Sequence, residues 1–427
     1  MLSPADEALA LRDPAMPDLS VLLDDDALGA WLSERLDERV RVQARYLRYK
    51  PANSCVLVAD VDSGSTRWPC LFSGYAETNA DKISKLLARS PAGSVLAYEP
   101  GRGLLATTPA ADRDLPGLAR LDDTDARERL LRRLLGPRPG LSGASVQSLR
   151  HNPHRRWVGL VRLTAGPPVV VRCYRRENLH AASEAIGAWH DTGLRTPRLL
   201  GTHPRRGVAA VEYVDGEALP RTPGDEDSDF HAAGAMLARL HAQRDVVLRT
   251  LSPTEEARAA SSAARQLVEL LPEHRVDVSE LGQVVSAWLA AMAPAMQPTH
   301  GDFSPDQVVI GRDGKPALID LDAARLGDPA ADLACADAAV ERDVVVGLID
   351  PATAQRRLGS LRTGYAELLP LPDEARLAAH EAAHLLRRAA EPFRMRLTPD
   401  WPSASMALVR RARRALHDHD MVGGDVQ

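Results

Sequence analysis

Two short apolar, partly β-branched runs, Val308-Val309-Ile310 and Ala317-Leu318-Ile319, flank Gly311-Arg312-Asp313-Gly314-Lys315-Pro316. A central Asp-Gly between such runs is the strongest short-range hairpin signal a sequence carries. With Asp313 and Gly314 as the two turn residues, Arg312 pairs with Lys315, and counting back along the ladder sets Gln307 opposite Asp320. Directly opposed residues put their side chains on one face with Cα atoms roughly 4.5–5.5 Å apart. An amide oxygen and a carboxylate that close suit a hard cation such as Mg²⁺, which takes oxygen ligands and commonly only one or two protein groups beside nucleotide phosphates. Taken alone, the segment reads equally as a structural hairpin with polar ends.

The flanking residues shift that balance. Thr299-His300-Gly301-Asp302-Phe303-Ser304-Pro305-Asp306-Gln307 sets Asp302 five residues before Gln307. That is the spacing at which a kinase catalytic loop places its base aspartate before a metal-binding amide, with a second metal-binding aspartate on a following strand, as Asp320 is. Gly327-Asp328-Pro329-Ala330-Ala331-Asp332-Leu333-Ala334 follows. Taken together, residues 299–334 resemble the aminoglycoside phosphotransferase and choline-kinase-like family, which runs HGD, an amide, an Ile-Asp strand and GDPxxDLA. The resemblance implies an α+β fold of the protein-kinase-like two-lobe type and an enzyme that uses ATP and Mg²⁺ to phosphorylate a small-molecule hydroxyl acceptor. It implies that Asp302 takes the acceptor proton while Gln307 and Asp320 hold Mg²⁺. Asp322 reads either as a ligand to a second metal or as a solvent-facing carboxylate. Asp328 reads as a turn or helix-cap residue, and Asp332 as a support for the catalytic loop.

Upstream, Val169-Val170-Val171-Arg172 is a buried-strand run ending in a cation, and the helix-like stretch 178–189 contains Glu184. By the resemblance Arg172 grips the nucleotide phosphates and Glu184 holds it in place. The family more often uses Lys, and Arg differs in binding phosphate bidentately through a planar fork. The run 208–217 resembles the family's hinge strand, which places Glu212, Tyr213 and Val214 against the adenine edge. Residues 230–241 form an amphipathic helix ending much like the family's LxxLH helix, and His241 reads as a helix-end or core residue. The loop expected to cover the nucleotide, His151-Asn152-Pro153-His154-Arg155-Arg156-Trp157, contains no glycine, so its backbone cannot be assumed to approach phosphates closely. Arg155 or Arg156 would serve instead, or both belong to a solvated turn. These departures, with Gln307 at the metal-amide position, support an alternative, a nucleotide-binding pseudokinase with a regulatory role.

An internal repeat organises the first half of the chain. The stretch 95–107, turning at Pro100-Gly101-Arg102-Gly103, lines up with 199–211, turning at Pro204-Arg205-Arg206-Gly207. Leu47-Arg48-Tyr49-Lys50-Pro51 likewise resembles Leu149-Arg150-His151-Asn152-Pro153. Two N-lobe-like units before one catalytic lobe give a polar lead-in over 1–24, a cap domain over 25–135, a linker at Gly136-Pro137-Arg138-Pro139-Gly140, a kinase N-lobe over 141–217 and a helical C-lobe over 218–427. Maltokinase-like enzymes also carry a cap before the kinase domain and a Gln at the metal-amide position. The resemblance therefore extends to that branch and to a sugar or amino sugar as acceptor.

Bulk properties agree with such an enzyme. The 427 residues suffice for two or three domains. With 53 Lys+Arg against 58 Asp+Glu, a nucleic-acid partner is not expected. Cys55, Cys70, Cys173 and Cys335 lack metal or redox spacing, as in a reducing cytoplasm. The acidic start Met1-Leu2-Ser3-Pro4-Ala5-Asp6-Glu7 is unlike a signal peptide, and no apolar run of about eighteen residues implies a membrane span. A cytoplasmic location is expected. Stretches 251–296 and 373–417 read as helical, and the second carries Arg387, Arg388, Arg394, Arg396, Arg410 and Arg411. Those arginines disfavour a polycationic acceptor, and most of them otherwise read as a solvated basic face.

Overall fold

The computed structural model describes residues 2–219 and 226–418. The chain begins with α1 (Pro4–Arg12), α2 (Leu19–Leu22) and α3 (Asp25–Leu36). A meander follows, β1 (Arg41–Lys50), β2 (Ser54–Asp62) and β3 (Arg67–Tyr75), then α4 (Ala80–Arg89) and a hairpin of β4 (Val95–Glu99) and β5 (Leu104–Thr107). These strands form one antiparallel sheet in the order β1-β2-β3-β5-β4. The figure is then drawn again: α5 (Leu118–Asp122), α6 (Thr124–Leu135), β6 (Ser145–Asn152), β7 (Arg156–Arg162), β8 (Val169–Tyr174), α7 (Arg176–Gly187), β9 (Leu199–His203) and β10 (Val208–Glu212). The second sheet runs β6-β7-β8-β10-β9.

The repetition reaches the backbone details. Asp24 and Asp123 cap α3 and α6 with their side chains. A bulge skips Arg45 in the first sheet and Leu149 in the second. Gly103 (φ 66°) and Gly207 (φ 65°) close the two later hairpins in the left-handed region that glycine enters without strain. Each meander opens with a turn that has Pro second and a positive-φ residue third, Pro51-Ala52 (φ 51°) and Pro153-His154 (φ 63°), the arrangement of a type II turn. A buried aspartate accepts the tip N–H in both: Ala52 N donates to Asp13 at 2.9 Å and His154 N to Asp112 at 2.8 Å.

This packing divides the first half differently from the boundaries expected above. Residues 13–24 are no polar lead-in, since Met16, Leu19, Leu22 and Leu23 are buried and Asp13 ties the first hairpin tip. Leu118, Leu121, Leu130, Leu131 and Leu134 pack against Trp157, Val161, Val171 and Val208 of the second sheet. Helices α5 and α6 thus belong to the second copy, because a sheet buries its apolar face only against a covering layer. The Pro/Gly segment at 136–140 is a turn inside that copy.

The chain splits into two compact units, one comprising Met1–His180, Leu199–Tyr213 and Phe393–Trp401, the other Ala181–Arg198, Val214–Pro392 and Pro402–Gln427. The first unit also takes in the short returning segment Phe393–Trp401, which is fastened to the first copy. Arg396 binds Asp6 through two hydrogen bonds (2.9 and 2.7 Å), Trp401 Nε1 donates to the same carboxylate, and Phe393 meets Tyr49 edge-on at 6.2 Å. Arg396 is therefore a half-buried partner of a buried carboxylate, where the sequence grouped it with a solvated basic face.

The second unit contains β11 (Gly216–Ala218), α8 (Glu226–His241), α9 (Pro253–Leu270), α10 (Arg275–Ala291), β12 (Gln297–Thr299), β13 (Val308–Gly311), β14 (Pro316–Leu318) and β15 (Arg325–Gly327). After them come α11 (Pro329–Val345), α12 (Pro351–Ala366), α13 (Glu374–Arg388), α14 (Glu391–Arg394) and α15 (Trp401–His417), of which Phe393, Arg394 and Trp401 are counted with the first unit. Strands β11, β13 and β14 form one small sheet and β12 pairs with β15. Phe230, Leu237, Phe303, Val308, Leu318, Leu333 and Tyr365 lie in the core beneath them. Among the described residues no helix is long and apolar enough to cross a membrane.

Candidate active site

The segment between β12 and β13 is held by one buried carboxylate. Asp332, in the first turn of α11, accepts the backbone N–H of His300 at 2.6 Å and of Gly301 at 2.8 Å. His241, at the end of α8, contacts Asp332 through Nε2 at 3.1 Å and reaches the Tyr365 hydroxyl through Nδ1 at 2.9 Å. Burial pushes the Asp332 carboxyl up, but the hydrogen bonds from His241 and His300 outweigh it and hold the carboxyl below its usual range. Asp328 caps α11 by accepting from Ala330 N at 3.0 Å. The roles expected for Asp328 and Asp332, and His241's place in the core, are thus found.

Gly301 sits at φ 85°, and a Cβ there would fall 2.2 Å from the Ala323 carbonyl, so the loop accepts only glycine. The next residue, Asp302, keeps 47% of its side chain exposed, with Arg387 Nη2 3.7 Å away. The Cys335 thiol lies 3.9 Å from Asp302 and receives Arg388 Nη2 at 3.4 Å. Arg388 in turn pairs with Glu391, which also holds Arg342. Sequence reasoning left Arg387 and Arg388 as surface charge, and no local signal could have placed them beside Asp302.

The β13–β14 hairpin forms, but its register differs from the one expected. Val308 pairs with Leu318 and Ile310 with Pro316, so Gln307 stands at Ile319, whose N–H donates to the Gln307 carbonyl at 2.9 Å. The loop has three residues, with Gly314 at φ 71° and Gly311 bonded to Lys315, the next commonest hairpin connection after two residues. A one-residue shift moves the opposite side chain to the other face, so the ladder does not set Gln307 against Asp320. Asp320 instead leaves the strand in a left-handed conformation (φ 64°, ψ 38°) that aspartate tolerates better than most residues. Gln307 is buried, 6% exposed, at the other strand's start.

Of the remaining residues singled out, Arg172 lies buried on β8 opposite Ala209, Glu212 ends β10 opposite Val169, and Tyr213 follows it, 38% exposed. These three belong to the first unit. Glu184 and Val214 belong to the second, with Asp302, Gln307 and Asp320. There Glu184 lines a cavity of about 850 Å³ together with Asp322, Arg325 and Thr250. In the glycine-free loop, His154 is fixed by Asp112 (3.1 Å) and Asp114 (3.3 Å), and His151 by Asp112 (3.0 Å). Burial lowers the His154 pKa, but the two carboxylates prevail and raise it to about 9. Arg48 of the first copy donates to the Pro153 carbonyl of the same loop at 3.1 Å.

A family model described as the phosphotransferase enzyme family matches residues 157–380, just over half of the chain. No curated protein matches it. Choline kinase LicA from Streptococcus pneumoniae is similar in structure at 16% identity and a TM-score of 0.49, over 68% of this chain and 97% of that one. Aminoglycoside phosphotransferase APH(3'')-Id from Streptomyces rimosus follows at 17% identity and 0.44, over 57% and 92%. A choline/ethanolamine kinase family protein from Mesorhizobium loti gives 17% and 0.47, over 69% and 96%. At these scores the likenesses add nothing to the family match.

Proposed function

This chain belongs to the phosphotransferase enzyme family, and from that premise we propose that it is an ATP- and Mg²⁺-dependent kinase for a hydroxyl of a sugar or amino sugar. The observation that carries the reading is the loop pinned through His300 and Gly301 to buried Asp332, which leaves Asp302 as a half-exposed carboxylate on a rigid support. In this reading Asp302 accepts the acceptor's hydroxyl proton as that oxygen bonds the γ-phosphorus and the bond to ADP breaks. Arg172 binds the nucleotide phosphates, and Glu212 and Tyr213 meet the adenine.

Gln307 and Asp320 would hold the metal. An amide and a carboxylate supply the hard oxygen donors that Mg²⁺ requires. When bound, the ion neutralises charge on the nucleotide phosphates. Arg387 beside Asp302 disfavours a polycationic acceptor. The four buried, free cysteines support a cytoplasmic location.

The test is Asp302→Asn, assayed by ADP release over a panel of sugars and amino sugars. Wild type should turn over at least one of them, and the variant should keep nucleotide affinity while losing roughly 10²–10⁴ in kcat. Wild-type turnover in the variant would sink the assignment of Asp302. Tight nucleotide binding with no turnover on any acceptor would favour the regulatory alternative.

A further inference from the structure

The β9–β10 turn, Pro204–Arg206, stands beside α6 and the start of α7. There Arg133, Arg176, His203, Arg205 and Arg206 line a cavity of about 450 Å³, with no carboxylate among its lining residues. No ion pair joins any of the five to another described residue. Burial and the charges of Arg133, Arg206 and Arg205 lower the His203 pKa, and burial with Arg120 and Arg176 lowers that of Arg206. His203 Nδ1 is buried without a hydrogen-bond partner. Such crowding is costly unless an anion relieves it.

The first copy shows how the same scaffold is neutralised. Its hairpin carries Arg102, which pairs with Asp18 at 2.6 Å, while Glu99 binds Arg35 (2.7 Å) and Trp31 Nε1 (2.7 Å). Glu99 pairs with Leu104 as His203 pairs with Val208. Asp18 precedes α2 as Gly117 precedes α5, and Glu34 stands on α3 where Arg133 stands on α6. The hairpin arginine is kept in the second copy, and the three acids have become His, Gly and Arg. Gly117 leaves no room for a side chain, since a Cβ would come within 2.3 Å of Val208 Cγ2 and 2.9 Å of Cys173 Sγ.

The cavity is separate from the proposed nucleotide cation. His203 and Cys173 both pair with Val208 and share its face of the sheet, whereas Arg172, next along β8, points to the other face.

We propose that this cavity binds a small, multiply phosphorylated metabolite, whose phosphates take the place of the first copy's carboxylates. Its volume falls within the range of small-molecule sites. Arginine forks grip phosphate bidentately, and the N–H groups opening the twelve-residue helix α7 add favourable potential for an anion. The chain's net charge of −5 opposes a long nucleic-acid backbone.

Calorimetric titration of the full-length protein in EDTA with fructose 1,6-bisphosphate and with inorganic tripolyphosphate tests it, against sulfate as control. One saturable site for at least one probe is expected. Affinity should fall at least about tenfold in His203→Glu, which restores the first copy's acid, and in the double variant Arg133→Ala/Arg206→Ala. His203→Glu should also raise the melting temperature without ligand. No binding of either probe, or undiminished binding in both variants, would overturn the proposal. So would a single-stranded oligonucleotide that binds more tightly than either probe and is lost in the same variants.

Discussion

The first and second sheet copies share one backbone figure and use it for different ends. Where Arg172 stands on β8, the first copy has Ser73, since Ser73 pairs with Leu105 as Arg172 pairs with Ala209. Where the first copy neutralises its hairpin with Asp18 and Glu99, the second leaves cations exposed. Both keep the capping aspartate, the bulge, the left-handed hairpin glycine and the aspartate under the first tip. The difference teaches that backbone geometry is what the two copies retain, while side-chain charge is the part free to change.

The largest expected effect falls on the copy that carries no proposed chemistry. Asp6→Ala should destabilise the protein by about 3–4 kcal/mol, because it takes the shared carboxylate from the half-buried Arg396 guanidinium and from the buried Trp401 Nε1. Chemical denaturation would read the loss, and an unchanged midpoint would remove the returning segment as the first copy's anchor.

The hairpin glycines give the next contrast. An alanine Cβ at Gly207 would lie 2.3 Å from the Tyr174 carbonyl, whereas at Gly103 its nearest neighbour is Ile83 Cδ1 at 3.4 Å. Gly207→Ala should therefore cost about 3 kcal/mol and Gly103→Ala about 1 kcal/mol, and equal costs in thermal or chemical denaturation would show that the approach of the Tyr174 carbonyl adds nothing to the left-handed backbone the two copies share.

Function should divide the same way. Arg172→Ala should weaken nucleotide binding by about 2 kcal/mol, roughly thirtyfold, while Ser73→Ala leaves it unchanged. A comparable loss in Ser73→Ala would mean that the first copy contacts the nucleotide.

The smallest effect concerns the two tip aspartates. Asp13 holds the neutral Tyr49 hydroxyl at 2.7 Å, whereas Asp112 holds His151 and His154. His154 has a folded pKa of about 9, above its unfolded value, so its contribution is complete below about pH 6.5 and is lost as pH rises through 9. Wild type should lose about 1–2 kcal/mol over that interval through this group, a loss retained in Asp13→Asn and reduced in Asp112→Asn, where only Asp114 is left to hold the ring. Parallel pH profiles for all three proteins would break the distinction.

What the sequence disclosed followed the range of the interactions. The run from His300 to Asp332 was legible because its parts are local and closely spaced. The Asp313-Gly314 hairpin was legible as well, but its register was not, because Asp-Gly serves loops of two or three residues and only the bond from Gly311 to Lys315 decides between them. The start of the repeat was hidden by its acidity. Asp13, Asp18 and Asp24 look like solvated surface, yet they bind a hairpin tip, Arg102 and a helix end. Arg387 and Arg396 were indistinguishable from their neighbours on a basic helical stretch, because only tertiary contact gives each its carboxylate.

The ion pair between Asp6 and Arg396 also sets a clock. The partners are 390 residues apart, and at roughly 5–20 residues per second the ribosome makes the second about 20–80 s after the first. Throughout that interval Asp6 has no guanidinium to bury against, so the copy synthesised first is the last to be completed. A nascent chain halted before Phe393 should therefore protect the second sheet from protease while α1 remains cleavable.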